Sequence, residues 1–254
     1  MSSKSTAQSH SIAIRGARTL GYIGVLSTML LGLGSLAWMC IIDVQIHHSK
    51  IESGLREAGA SPALIEHTIT AVRCAQRSWN PAVHPMRLGL GVVDLERPAN
   101  QKRFWLIDMA TGEVKEHGLM AHGVGSGTGR MARTFSNRSG TNMSSLGLYQ
   151  VFHQYWSDNT QRHNTSLRGL DPGFNDQAKN RGVLLHPAHR NDSPDYVTAT
   201  RVTGQSHGCI ALSRDHYAKA TNALQWGGLL FQYADAESDG RSFLEEAWSV
   251  NCGE

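Results

Sequence analysis

The 254-residue chain carries 24 Lys/Arg against 21 Asp/Glu, a formal charge of +3, with 40% hydrophobic residues and six Trp, and its mean hydropathy is −0.32. This balance excludes a general electrostatic footprint for nucleic acid, a polytopic membrane protein and a disordered chain. The excess charge lies at the N-terminus, because Lys4, Arg15 and Arg18 precede Asp43, the first acidic residue, leaving 21 basic against 20 acidic side chains from residue 44 onward.

Thr19 to Ile42 is an uncharged run of 24 residues, about 36 Å long as a helix and long enough to cross a bilayer. The basic, acid-free flank before it predicts residues 1–18 in the cytoplasm, 19–42 as a transmembrane signal-anchor and the remainder outside. A cleaved signal peptide and a buried core helix are the alternatives. The run is longer than a removable apolar core and ends Trp38-Met39-Cys40-Ile41-Ile42 without a small-x-small site.

Residues 43–88 read as a linker with one helical segment. His47–Ser53 is polar, while Ser61-Pro62 followed by Ile65, Ile69 and Val72 predicts a capped helix over 61–78. A catalytic domain is expected over 89–234 and a tail over 235–254. Leu90–Leu95, Lys102–Asp108 and Val114–His122 read as strands, the last two as a hairpin around Ala110-Thr111-Gly112. Glycines alternate from Gly123 to Gly129. Further strands are expected at Gly147–Phe152, Gly182–His186 and Gly228–Tyr233, with a helix capped by Ser213 and running to about Leu224. Strands outnumber helices, so a mainly β domain is predicted over alternating βαβ units. Phe104, Trp105 and Trp226 read as core, and Arg130, Arg133 and Arg138 as a solvated face.

The densest chemical signal is Gly204-Gln205-Ser206-His207-Gly208-Cys209, with His186 closing an apolar strand upstream. An imidazole near a thiol favours the thiolate and can supply the leaving group's proton. A glycine before the cysteine lets substrate approach the backbone, where N–H groups could meet a developing oxyanion. A buried, inert cysteine beside incidental histidines is the bland alternative. Metal binding by His186, His189, His207 and Cys209 is the chemical one, although the spacing lacks the paired knuckles of structural zinc sites. The glycine run has no Gly-Lys-Ser/Thr and no G-x-G-x-x-G, which argues against a phosphate loop. No cofactor is called for. Once Cys40 and Cys209 are assigned, Cys74 and Cys252 remain as a candidate disulfide.

Ser206-His207-Gly208-Cys209 with His186 resembles the catalytic motif of the murein L,D-transpeptidases of YkuD type. Ala121-His122-Gly123, Ser126-Gly127, Phe135-Ser136-Asn137, Ser144 to Tyr149, Ser166 to Leu170, Asn175-Asp176 and Arg181 resemble one branch of that family in order. The resemblance implies a YkuD-like β-sandwich acting on peptidoglycan stem peptides outside the cytoplasmic membrane. Cys209 would be the nucleophile and His186 the base, oriented through its second ring nitrogen by a backbone carbonyl. Ser206, His207 and Gly208 would shape the cysteine loop, His207 supporting it and the oxyanion site. Arg168, Asn175 and Asp176 are expected to bind substrate. A hydrolase on the same scaffold and a non-catalytic wall-binding module are the competing functions. The chain departs from the common pattern at Pro187, where glycine usually follows the histidine, and at the apolar Ile210-Ala211-Leu212, where Arg or Asn usually follows the cysteine.

Overall fold

Leu90, Val92, Phe104, Leu106, Leu148, Leu229 and Phe231, scattered over 142 positions of sequence, are all at most 3% exposed and belong to one apolar core. A computed structural model describes residues 46–78, 89–127, 129–188 and 206–251, which fall in one unit, Gln45–Glu254. In chain order they form helices α1 (His48–Glu57) and α2 (Pro62–Ser78) and strands β1 (Gly89–Asp94), β2 (Phe104–Asp108), β3 (Val114–Gly118) and β4 (Met120–Ala121). After a 3-10 turn at Val124–Ser126 come β5 (Gly147–Ser157), β6 (Arg162–Gly169), β7 (Leu184–Pro187) and β8 (Ile210–Leu212). The chain then continues through α3 (Arg214–Leu224), β9 (Leu229–Tyr233), the small hairpin β10 (Glu237–Ser238) and β11 (Arg241–Ser242), and α4 (Phe243–Asn251). The Thr19–Ile42 run lies outside the described residues, among which no helix is long and apolar enough to cross a membrane.

Nine strands make one sheet in the order β3-β2-β1-β9-β5-β6-β7-β8-β4. The β1–β9 and β7–β8 pairs are parallel and the rest antiparallel. The two edge strands, β3 and β4, are separated by Leu119 alone. Consecutive Cα atoms are only about 3.8 Å apart, so the sheet must curl until its edges meet. A register irregularity between Val151 and Gln154 lies in β5, where bulges bend strands. The protein is mainly β with few helices, as expected.

The helices close the core. Ser61 accepts a hydrogen bond from the Leu64 N–H at 3.2 Å, and Leu64, Ile65, Ile69 and Val72 bury the stripe of α2 that packs toward β9 and α4. Ser213 caps α3 by accepting from the His216 N–H. Tyr217, Ala220 and Leu224 of α3 are buried, against β1, β7 and β8. Burial of a Leu-sized side chain contributes roughly 1.5–3 kcal/mol. Helices α1 and α4, in segments read from sequence as linker and tail, lie in the same unit as the sheet. Trp105 is core, with its indole N–H donating to the Ala58 carbonyl at 3.2 Å. Trp226 is not. It is 54% exposed at φ +68 and stacks on His153, because it sits in the turn that joins α3 to β9 rather than on either.

Cys74 is disulfide-bonded to a partner outside the described residues. Helix α4 packs on α2, which carries Cys74, and ends at Asn251, the residue before Cys252. Peptide mapping without reductant should therefore recover one cross-linked species containing Cys74 and Cys252. A Cys40–Cys74 peptide would refute that pairing.

Candidate active site

Strands β7 and β8 run parallel with His186 opposite Ala211 and Leu185 opposite Ile210. Alternation along a strand sends Leu185, Ile210 and Leu212 into the main core. His186, Ala211 and, one step upstream, Cys209 are thereby aligned on the opposite face. That face is lined by small residues, with Ala121, Ala188 and Ala211 forming their own buried cluster. The sequence therefore brings histidine and cysteine together through strand register.

His186 is 2% exposed. Its Nδ1 lies 2.9 Å from the Pro187 carbonyl oxygen. A carbonyl can only accept, so Nδ1 carries a proton, and in the neutral ring Nε2 holds the lone pair. Proline in place of glycine leaves this interaction intact, since the acceptor is retained and only an N–H is lost. Arg162 Nη1 also reaches the Pro187 oxygen, at 3.4 Å.

Cys209 is a part-exposed thiol whose Sγ donates to the Gly182 carbonyl at 3.5 Å. Ser206 closes the loop by donating its hydroxyl to the Cys209 carbonyl at 2.6 Å. The Ser206 N–H donates to the His122 carbonyl at 2.9 Å, and the Val124 N–H to the Ser206 carbonyl at 2.7 Å. Gly208 has φ +99, and a Cβ there would lie 2.7 Å from the Met143 oxygen. Any other residue would be strained and would collide with backbone. Gly123 explains part of the glycine run: its Cβ would lie 2.4 Å from the Asn142 oxygen and 2.9 Å from Gly208 Cα and N. His207 is exposed, without a side-chain hydrogen bond among the described residues, so the loop is braced by Ser206. The N–H groups of His207 and Gly208 have no acceptor among the described residues. Orphan buried donors such as that of Gly208 are uncommon in native proteins and suit a ligand oxygen.

The ordered motifs around the cysteine prove to be hydrogen-bonding braces. Ser144 Oγ accepts from the Gly123 N–H at 3.0 Å, and Ser126 Oγ from the Ser144 N–H at 2.8 Å. Behind them lies His122 of the Ala121-His122-Gly123 motif, paired with Arg103, which sequence reasoning missed, each 0% exposed. Arg103 Nη2 donates to His122 Nδ1 at 2.9 Å, so His122 Nε2 carries the proton that it donates to the Gly127 carbonyl at 3.1 Å. Arg103 also donates to the Met120 and Arg97 carbonyls, each at 2.9 Å. Burial pulls its guanidinium down to about 9, which leaves it charged at neutral pH. Burial and the Arg103 charge together hold His122 down at about 4. Nothing in Lys102-Arg103-Phe104 distinguishes a buried arginine from a strand-edge one.

His122 has a pH consequence. Its folded pKa is depressed, so between about pH 6.5 and 4 the unfolded chain takes up a proton that the folded chain refuses. Stability should be full above pH 6.5 and decline as pH falls toward 4, by on the order of 3 kcal/mol from this group. Urea titrations at pH 7.5 and 4.5 should show a smaller acid loss in His122→Gln than in the parent. Equal losses would contradict this assignment.

Arg168, Asp176, Lys179 and Asn180 line, with Phe152 and Leu170, a groove of about 810 Å³. One wall of the groove ends two residues before Gly182, the acceptor of the Cys209 thiol. Asn175, expected to bind substrate, is a correction: it is 0% exposed, its Oδ1 accepts from the Asp171 N–H and its Nδ2 donates to the Leu148 carbonyl, both at 2.9 Å. Both ends of the amide hold backbone. Burial pushes the Asp176 carboxyl upward, but bonds from Asn137, the Gly173 N–H and Gln177 outweigh this and hold it below the ordinary range. Arg130, Arg133 and Arg138 are exposed. Of the zinc alternative, His189 lies outside the described residues, among which no three His, Cys, Asp or Glu side chains are placed to hold a metal ion.

The profile of the L,D-transpeptidase catalytic domain matches residues 56–233. No curated protein matches the chain. Among solved structures, an L,D-transpeptidase from Stackebrandtia nassauensis is 17% identical, with 75% of this chain and 78% of that one covered at a TM-score of 0.34. One from Mycobacterium smegmatis is 19% identical over 58% of this chain and 59% of that one, at a TM-score of 0.35. L,D-transpeptidase 3 of Mycobacterium tuberculosis, with a faropenem-derived adduct, is 16% identical over 58% and 61%, at a TM-score of 0.36. The chain thus spans about three fifths of the two mycobacterial chains.

Proposed function

The chain belongs to the L,D-transpeptidase catalytic-domain family, which acts on peptidoglycan stem peptides, and on that premise we propose that it is a cysteine acyltransferase working through a Cys209 thioester. Cys209 Sγ attacks the carbonyl carbon of the third residue of a donor stem. The carbonyl π electrons move onto oxygen, where the His207 and Gly208 N–H groups can receive the charge. Collapse breaks the amide bond to the terminal D-residue, whose nitrogen leaves with the proton that His186 took from the thiol. An amine of a second stem then attacks the thioester carbonyl, gives its proton to His186 and returns Cys209 as leaving group. The new bond is an amide, so no energy-rich cosubstrate is needed.

The observation that carries this reading is the pairing of β7 with β8, which aligns Cys209 with a histidine whose tautomer is fixed by the Pro187 carbonyl. The groove lined by Arg168 and Lys179 offers cationic side chains to an anionic stem. Mass analysis of products formed from a disaccharide-tetrapeptide tests it: a cross-linked dimer lacking one terminal D-residue is expected. A shortened monomer alone would mean that water resolves the thioester and would make the protein an L,D-carboxypeptidase.

We also infer a location. Thr19–Ile42 serves as an uncleaved anchor with the catalytic unit outside the cytoplasmic membrane, supported by the basic flank and the length of the run. The protein should stay with membranes after a salt wash, and a mature species beginning near residue 40 would refute this.

A further inference from the structure

Arg181 follows Asn180 of the groove wall and precedes Gly182 in the chain. It ends the turn that begins at Gln177, with its N–H on the Gln177 carbonyl at 2.9 Å, and the next residue, Gly182, accepts from the Cys209 thiol. Its guanidinium reaches under the cysteine loop. Nη1 donates to the Ser136 carbonyl at 2.6 Å and to Ser145 Oγ. Nη2 donates to the Met143 carbonyl at 2.7 Å and more distantly to Thr141 Oγ1 at 3.5 Å. A Cβ placed on Gly208 would be 3.4 Å from the same Nη2, so the cation packs against the residue preceding the nucleophile.

All four acceptors are neutral. Among the described residues no carboxylate is within ion-pair distance of Arg181, which is unusual for a half-buried guanidinium. Asp239 acts on it only at longer range and is itself paired with Arg138 at 2.9 Å. The Tyr149 phenol is pushed up to about 12 by burial and stays neutral. The other titratable groups near this point are His186 on β7 and the exposed His207 on the loop. Downstream of Cys209 the chain offers only Ile210-Ala211-Leu212. The remaining group that interacts with Arg181 is Cys209, whose ionised form attracts it.

We propose that Arg181 is the fixed cation that favours the thiolate of Cys209, held in place by the 136–145 segment so that its charge faces the nucleophile without a competing carboxylate. It acts through Cys209 and is a positioning and electrostatic residue. The inference rests on Cys209 being the nucleophile, yet it can be tested without turnover.

The test is the pH dependence of Cys209 alkylation by iodoacetamide in the full-length chain, read on the Cys209 peptide by mass spectrometry. The parent should titrate below the ordinary thiol midpoint of about 8.5. Arg181→Gln should move the midpoint about one pH unit higher and slow alkylation at pH 6.5 about tenfold. Arg181→Lys, which keeps the charge and loses the fork, should stay close to the parent. Ser145→Ala, which removes one acceptor and leaves the charge, should titrate as the parent does. An unchanged midpoint in Arg181→Gln overturns the proposal. So does a midpoint in Ser145→Ala as high as that of Arg181→Gln. Should Arg181→Gln not fold, an Arg181→Lys midpoint about one pH unit above the parent's overturns it. A parent midpoint at about 8.5 would instead overturn the reading of Cys209 as an activated nucleophile.

Discussion

Cys209→Ala should eliminate release of the terminal D-residue, at least about a 10,000-fold loss, because removing a covalent nucleophile leaves only binding and oxyanion contributions. The fold should survive. Cys209 is part-exposed and outside the main apolar core, and the bond that closes its loop, from Ser206 Oγ, ends on the Cys209 backbone carbonyl. Thermal melting should therefore match the parent while steady-state release of D-amino acid falls to background. Chelators should leave the parent's activity unchanged. Activity retained in Cys209→Ala but lost on chelation would force His186 and His207 to be reread as metal ligands.

His186→Ala should lower kcat by roughly 100- to 10,000-fold, the range for loss of a general base. The side chain sits on β7 with Nδ1 donating to the Pro187 oxygen, so alanine removes both the proton acceptor and one donor to that carbonyl. Arg162 Nη1, 3.4 Å away, remains for the carbonyl. His186→Gln, which can keep a donor to the Pro187 oxygen without supplying a base, separates the two effects. If His186 transfers protons, both variants lose turnover alike. Recovery of most activity in His186→Gln would mean that the residue only orients the strand.

The parts of the fold that repeat a pattern were legible in the sequence. Ser61-Pro62 with Ile65, Ile69 and Val72 announces α2, and Ser213 announces α3. Apolar runs announce β1, β2, β7 and β9. Elements with a thin apolar stripe were not. Helix α1 buries only Ile51 and Leu55. Strand β6, Arg-His-Asn-Thr-Ser-Leu-Arg-Gly, is mostly polar even where it is buried, since Asn164 is 2% exposed and Thr165 is 0% exposed and bonded to Tyr217 and Thr221. At the site, residue type alone marks Cys209 and His186, while their alignment depends on register across some twenty residues and becomes visible only in the sheet. Asn175 illustrates the opposite failure. A buried amide bridging Asp171 and Leu148 backbone looks, in sequence, the same as one facing substrate. Arg103 was hidden for the same reason, and Arg181, which the ordered motifs mark, gave no sign of its contacts, since an arginine bonded to carbonyls inside a protein leaves no periodic trace.

In the proposed reaction an acyl group from the stem peptide becomes bonded to Cys209 Sγ. Acid-quenched intact-protein mass spectrometry, with a tetrapeptide donor in excess and no added acceptor, tests it most directly. A mass increase equal to the donor minus the free D-amino acid it releases is expected, mapped to the peptide containing Cys209, released by neutral hydroxylamine and absent from Cys209→Ala. An unmodified parent that still releases the D-residue under these conditions, or an adduct carried by any other side chain, would contradict it.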